Sequence, residues 1–169
     1  DRHQRVTYSR EGARFKFAVL SPDRRSFVIW RHRQLELRDT RSGEIVHRFA
    51  GHGDEMIRAA VFSADGKRLY TGGDDRRIRA WNTGSGALIE TLTGARRPVH
   101  ALAASPAGPR IAAAVEGGAI LLFREGTSGP VGTILTLARG PDGEGEGALI
   151  ATPDGHVDLV GSSRCLARE

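Results

Sequence analysis

Three turn signals recur along this chain of 169 residues at a constant interval: Ser21-Pro22-Asp23, Ser63-Ala64-Asp65-Gly66 and Ser105-Pro106-Ala107-Gly108. Their serines stand at 21, 63 and 105, a period of 42. A unit of that length is too short to bury a core alone, so each copy must hide its faces against its neighbours. A period of about 40–45 residues is also that of a sheet unit built from four short strands.

The apolar segments around each turn fit four strands. AVL (18–20), AAVF (59–62) and ALAA (101–104) precede the turns, and SFVIW (26–30), RLYTG (68–72) and RIAAAV (110–115) follow. A third segment comes next in each unit, LELRD (35–39), IRAWN (78–82) and AILLF (119–123). A fourth closes it, IVHRF (45–49), LIETL (88–92) and TILTL (133–137). Glycine turns at 42–44 and 85–87 stand before two of those fourth strands, as in hairpins. No window of 11 or more residues carries a 3.6-residue apolar period, so little helix is expected. The fold class is all-β, built of four-stranded antiparallel units.

A further unit begins at ALIATPDGHVDLVG (148–161), where Thr152-Pro153-Asp154-Gly155 repeats the turn. It arrives 47 residues after Ser105, and the loop GPDGEGEG (140–147) accounts for the excess. RVTYS (5–9) reads as the last strand of a preceding unit. The whole chain, 1–169, reads as one partial domain with units at about 10–52, 53–94 and 95–137 and an incomplete terminal unit at 148–161.

Composition narrows the function classes. Hydrophobic content of 39% and charged content of 27% suit a globular chain rather than a disordered one. No run approaches the roughly 18 apolar residues of a membrane span. Cys165 is the single cysteine, which excludes an internal disulfide framework and a thiolate zinc cluster. A reducing, cytoplasmic setting is expected from it. The start has no apolar core like that of a signal peptide, and Met56 is the only methionine. The expectation is therefore that a longer polypeptide supplies this chain.

A net charge of +5 and a pI of about 10.3 raise the question of nucleic acid. The arginines, however, run from Arg2 to Arg168 among 20 acidic residues, and aromatic content is 6%. A stacking platform needs exposed aromatics, and most of these lie on strands that must be buried. Nucleic acid is thus the weakest of the partner readings.

Metal and cofactor chemistry find no complete pattern. Asp142, Glu144, Glu146 and Gly147 match the early positions of a calcium loop, but Pro153 stands at the twelfth, where a carboxylate is needed. The six histidines make no HExxH, and phosphate-loop, GxGxxG and GxSxG motifs are absent. Nothing near Cys165 would activate its thiol. No catalytic residue, metal site or cofactor is expected.

The stretch LYTGGDDRRIRAWN (69–82), preceded by Gly51-His52, carries a family resemblance. It resembles the WD40 repeats of β-propellers, with Asn82 where the family usually has Asp. The resemblance covers about residues 10–137 and, weakly, 148–161. It implies a propeller fragment, an open arc of four-stranded blades whose remaining blades come from the parent polypeptide. It also implies a structural tetrad of His52, Thr71, Asp75 and Trp81, with Ile78 buried and Arg76, Arg77 and Arg79 turned to solvent or to the propeller face. The other units depart from the pattern: the first has Arg38 at the Trp position and His32 at the turn Asp. The third has Phe123, Gly117, Ala113 and Ala95 at the four places.

What the resemblance implies for function is a noncatalytic protein–protein interaction scaffold. Its favoured contact positions map to Arg14, Lys16 and Arg31 in the first unit. In the second they are Met56, Arg58 and Asp74, and in the third Pro98, His100 and Glu116. The basic members, Arg14, Lys16, Arg31 and Arg58, suggest an acidic protein or peptide partner. A second reading makes the chain the regulatory or sensor arm of a bacterial multidomain enzyme, a kinase or caspase-like peptidase fusion.

Overall fold

The computed structural model describes residues 17–31, 33–137, 147–151 and 157–161. Every regular element among them is a β-strand. The first sheet holds β1 (Phe17–Leu20), β2 (Ser26–Arg31), β3 (Gln34–Asp39) and β4 (Ile45–Phe49) in that order. The second holds β5 (Ile57–Phe62), β6 (Arg68–Gly73), β7 (Ile78–Asn82) and β8 (Leu88–Leu92). The third runs β9 (Val99–Ala104), β10 (Arg110–Val115), β11 (Ala119–Arg124) and β12 (Pro130–Leu137), then β13 (Gly147–Ala151) and β14 (Val157–Gly161). All neighbours are antiparallel.

The first two sheets have the four strands expected of them. The third has six, because β13 and β14 do not open a separate unit but continue this sheet from β12. The physical reason is a free row of backbone donors and acceptors along β12, which β13 satisfies by pairing Thr133–Leu137 with Ala151–Gly147. The three sheets do not close into a ring. Their first strands lie side by side, β1 against β5 and β5 against β9.

Alternation of side chains sends each strand's residues to two faces. In the middle sheet both faces are covered. Leu69 and Trp81 join Val28, Trp30, Leu35, Leu37 and Phe49 of the first sheet in one core. Tyr70, Ile78, Ala80 and Leu92 join Val99, Ile111, Ala113, Val115, Leu121 and Phe123 of the third in another. Close approach on that side explains Gly72, where a Cβ would come within 2.7 Å of Val99 Cγ1.

The first two of the recurring turns share the same hydrogen bonds atom for atom. Ser21 Oγ donates to Asp23 Oδ1 at 2.6 Å and accepts from Ser26 N at 3.0 Å. Ser63 Oγ donates to Asp65 Oδ1 at 2.6 Å and accepts from Arg68 N at 3.0 Å. These hydroxyl bonds, followed by backbone N–H bonds, draw the carboxyl pKa values of Asp23 and Asp65 below the ordinary range. The third copy has Ala107 in place of the acid, and Ser105 Oγ accepts from Ala107 N instead.

Candidate functional site

At the loop end of the middle sheet, β6, β7 and the segment before β5 bring four polar side chains together. Thr71 on β6 and Trp81 on β7 face the first sheet, and Gly51-His52 passes over them. His52 Nε2 lies 2.8 Å from Thr71 Oγ1, which also accepts from Trp81 Nε1 at 2.9 Å. His52 Nδ1 lies 3.1 Å from Asp75 Oδ1, which accepts in addition from Arg77 N at 3.2 Å. Trp81 N–H can only donate, so Thr71 takes that hydrogen and offers its own to Nε2, leaving the Nδ1 hydrogen for the carboxylate. His52 is nearly inaccessible, at 1% side-chain exposure, so each of these bonds replaces one that water could not make.

Arg79 is the residue that the sequence reading misplaced. It was expected at solvent or on the propeller face, yet its side chain is 9% exposed and pairs with Asp75 Oδ2. Its Nη1 also stands 2.9 Å from His52 Nδ1, both nitrogens being aimed at the one carboxylate. The reason is strand alternation: Arg79 is two residues before Trp81 and directly opposite Thr71, so all three share a face. That parity was present in the sequence. Arg76 and Arg77 are exposed.

The balance of charges shows in Asp75. Burial raises its pKa, but the hydrogen bonds from His52 and Arg79 and their charges outweigh it, and the carboxyl falls from 3.8 to about 2. Gly51 completes the arrangement. A Cβ there would come within 2.5 Å of Trp81 Cη2, in a ring already packed 5.4 Å from Phe49. Thr71 and His52 are both buried, at 0% and 4% exposure, so chemically the network ties a loop to a sheet.

The other two units lack it. In the first, Arg38 donates to Gly43 O at 2.8 Å and to Glu36 Oε2 through Nε at 3.0 Å. In the third, Phe123 and Ala113 are wholly buried in apolar packing.

The described residues expected to meet a partner are at the same loop end. Arg58 grips Asp74 with two bonds, Nε to Oδ1 at 2.8 Å and Nη2 to Oδ2 at 2.9 Å. That hydrogen bond and the Asp74 charge raise the Arg58 pKa, and Glu116 adds to the effect. Asp74 N donates to Met56 O at 3.0 Å, and Glu116 N to Pro98 O at 2.9 Å, the same main-chain bond in two successive units. Met56 and Pro98 are half-buried, and His100 and Glu116 exposed. Arg31 ends β2 at this end of the first sheet. Arg14, Lys16 and His32 lie outside the described residues, as do Asp142, Glu144 and Glu146. Among the described residues no three His, Cys, Asp or Glu side chains gather closely enough to hold a metal ion. Nor is there a helix long and apolar enough to cross a membrane.

Unclosed four-stranded antiparallel sheets, packed face to face and pinned by a His–Thr–Asp–Trp network, define a β-propeller of the WD-repeat class. Residues 43–82 match the family model described as "WD domain, G-beta repeat". An uncharacterized WD repeat-containing protein of Synechocystis sp. is 32% identical over 109 residues, 63% of this chain and 31% of the relative. A periodic tryptophan protein 2 homolog of Mus musculus is 40% identical over 60 residues, 36% of this chain and 6% of the relative. The nuclear distribution protein PAC1-1 of Uncinocarpus reesii is 38% identical over 66 residues, 38% and 14% of the two chains. Residues 43–82 thus carry a WD repeat, and the chain spans less than a third of the length of these relatives. Proteins of this family are generally interaction scaffolds and typically noncatalytic.

Proposed function

We propose that the chain is a noncatalytic protein-interaction module of a larger polypeptide, with its contact surface at the loop end of the sheets. One observation supports this best: the main-chain bonds Met56–Asp74 and Pro98–Glu116 hold corresponding rim residues of two units in one rigid arrangement. A surface already ordered loses little entropy on binding, so few contacts suffice. Met56 and Pro98 supply apolar area, while the Arg58–Asp74 pair, His100 and Glu116 supply polar contacts around it. The partner is a protein or peptide, acidic where it meets Arg14, Lys16 and Arg31, with Arg58 sharing its charge with Asp74.

The test compares affinity capture by the protein with capture by two variants, each checked for an unchanged β-sheet circular dichroism spectrum. Met56→Asp with His100→Asp alters the loop end, and Lys67→Glu alters the opposite end. Proteins held by the unaltered chain and by Lys67→Glu, but lost from the double variant, support the proposal. Equal capture by all three overturns it. Reversing Arg14, Lys16 and Arg58 should release an acidic partner, and no change in binding would remove the acidic preference.

A further inference from the structure

Strand β12 differs from its counterparts β4 and β8. It has eight residues where they have five. Its sequence, PVGTILTL, has no charged residue, whereas β4 carries His47 and Arg48 and β8 carries Glu90. All three hold the fourth position in their sheets, and an outer strand displays a row of backbone N–H and C=O groups. Charges, shortness and irregularity are what usually keep such an edge from pairing with another chain. β4 and β8 have the first two and end their sheets. β12 has neither, and it is paired, by β13.

We propose that the outer edge of β12 is a strand-addition site for an extended, uncharged segment of a partner protein, rich in small and aliphatic residues. β13, with the sequence GALIA, is the chain's own occupant of that site. It shows the required geometry: antiparallel, with Ile150 opposite Ile134 and Ala148 opposite Thr136. A partner strand would take the same ladder for affinity and alternate its side chains across the two faces for specificity.

The occupant is exchangeable for a reason written in the repeat. β13 and β14 form an antiparallel hairpin like those of β1 with β2, β5 with β6 and β9 with β10. In those hairpins the first strand lies beside the first strand of an adjoining sheet. β13 lies instead against a fourth strand, and its extensive contacts are with β12 and β14. A hairpin held by one ladder opens at a lower free energy than strands packed on two sides.

The probe is a fluorescein-labelled peptide of sequence GALIAT, residues 147–152, added to the protein and to its Ile150→Pro variant, in which β13 can no longer pair fully. Fluorescence anisotropy should show saturable binding to the variant, at least tenfold tighter than to the unaltered protein. A peptide with proline at the same position should not bind. No binding to a variant whose melting shows the sheets intact overturns the site, and so does equal binding of both peptides. Hydrogen exchange of the unaltered protein gives an independent reading should the variant fail to fold. The β13 amides should exchange at least tenfold faster than those of β11, and equal protection would show that the hairpin does not release the edge.

Discussion

At Asp75 burial and hydrogen bonding oppose each other, and the outcome can be measured. The carboxyl sits at about 2 in the fold against 3.8 as its ordinary value. A depressed folded pKa contributes stability that is complete above the unfolded value and lost as pH falls through the folded one. The window is therefore roughly pH 4 down to pH 2, and the contribution is about 2 kcal/mol. Asp75→Asn should flatten that part of the stability–pH curve, which thermal melts in acidic buffers would show. Asp75→Ala and Arg79→Ala should each cost roughly 1–3 kcal/mol and lower Tm by several degrees, since each strands a buried partner. Arg77→Ala should leave Tm within about a degree, because its backbone N–H and not its exposed side chain meets Asp75. Equal losses at 77 and 79 would refute the buried pairing of Arg79. At this scale His52, Thr71, Asp75 and Trp81 were legible through the resemblance, and the structure brings them together. Arg79 escapes that reading because a cationic side chain ordinarily marks a surface, although its parity with Trp81 puts it inside.

At the scale of the element, the turns show how one structure tolerates different residues. Asp39 and Asn82 stand at corresponding places, and each accepts two backbone N–H bonds through Oδ1, at 2.8 and 2.8 Å and at 2.9 and 3.0 Å. The turn needs an oxygen acceptor there and not a charge, which is why Asn82 replaces the usual Asp without altering the hairpin. The strands and turns of the three full units were legible in sequence because period, apolar alternation and turn chemistry agree. The placement of β13 and β14 was not, since a turn signature specifies a hairpin but not which edge it joins. Two positions break local rules, Arg24 and Arg76, and the first can be compared with its counterpart in the next unit. Arg24 has φ +60°, in the left-handed region, where the second unit has Gly66 at +70°. That backbone costs a non-glycine residue about 1–2 kcal/mol, against roughly 0.5–1 kcal/mol of extra chain entropy for glycine. Arg24→Gly should therefore stabilise by about 0.5–1 kcal/mol, and Gly66→Arg should lose a similar amount, read from urea midpoints.

For the whole molecule the decisive asymmetry is between covered and uncovered faces. The middle sheet is shielded on both sides, so β6 and β7 are almost wholly buried. Among the described residues the third sheet is shielded on one. Ile111, Ala113, Leu121 and Phe123 enter the core with the second sheet. Ala103, Ala112 and Leu122, which register places opposite one another, alternate with them and so face away from it. Ala101, Ala114, Ile120 and Ile134 extend that face in the next row. Such a surface is apolar over several strands, and a repeat array normally covers it with the adjoining unit. Neighbouring residues on β11 then predict opposite outcomes. Leu121→Asp places a charge in the core between two sheets and should cost several kcal/mol, abolishing the cooperative melt. Leu122→Asp, one residue on, places the charge on the uncovered face, so it should leave Tm within a few degrees and suppress concentration-dependent self-association of this chain in sedimentation velocity. The pair separates packing within the arc from adhesion of its end. If Leu122→Asp melted as poorly as Leu121→Asp, both faces of the third sheet would have to be packed in the folded chain, and the order of sheets described here would be wrong.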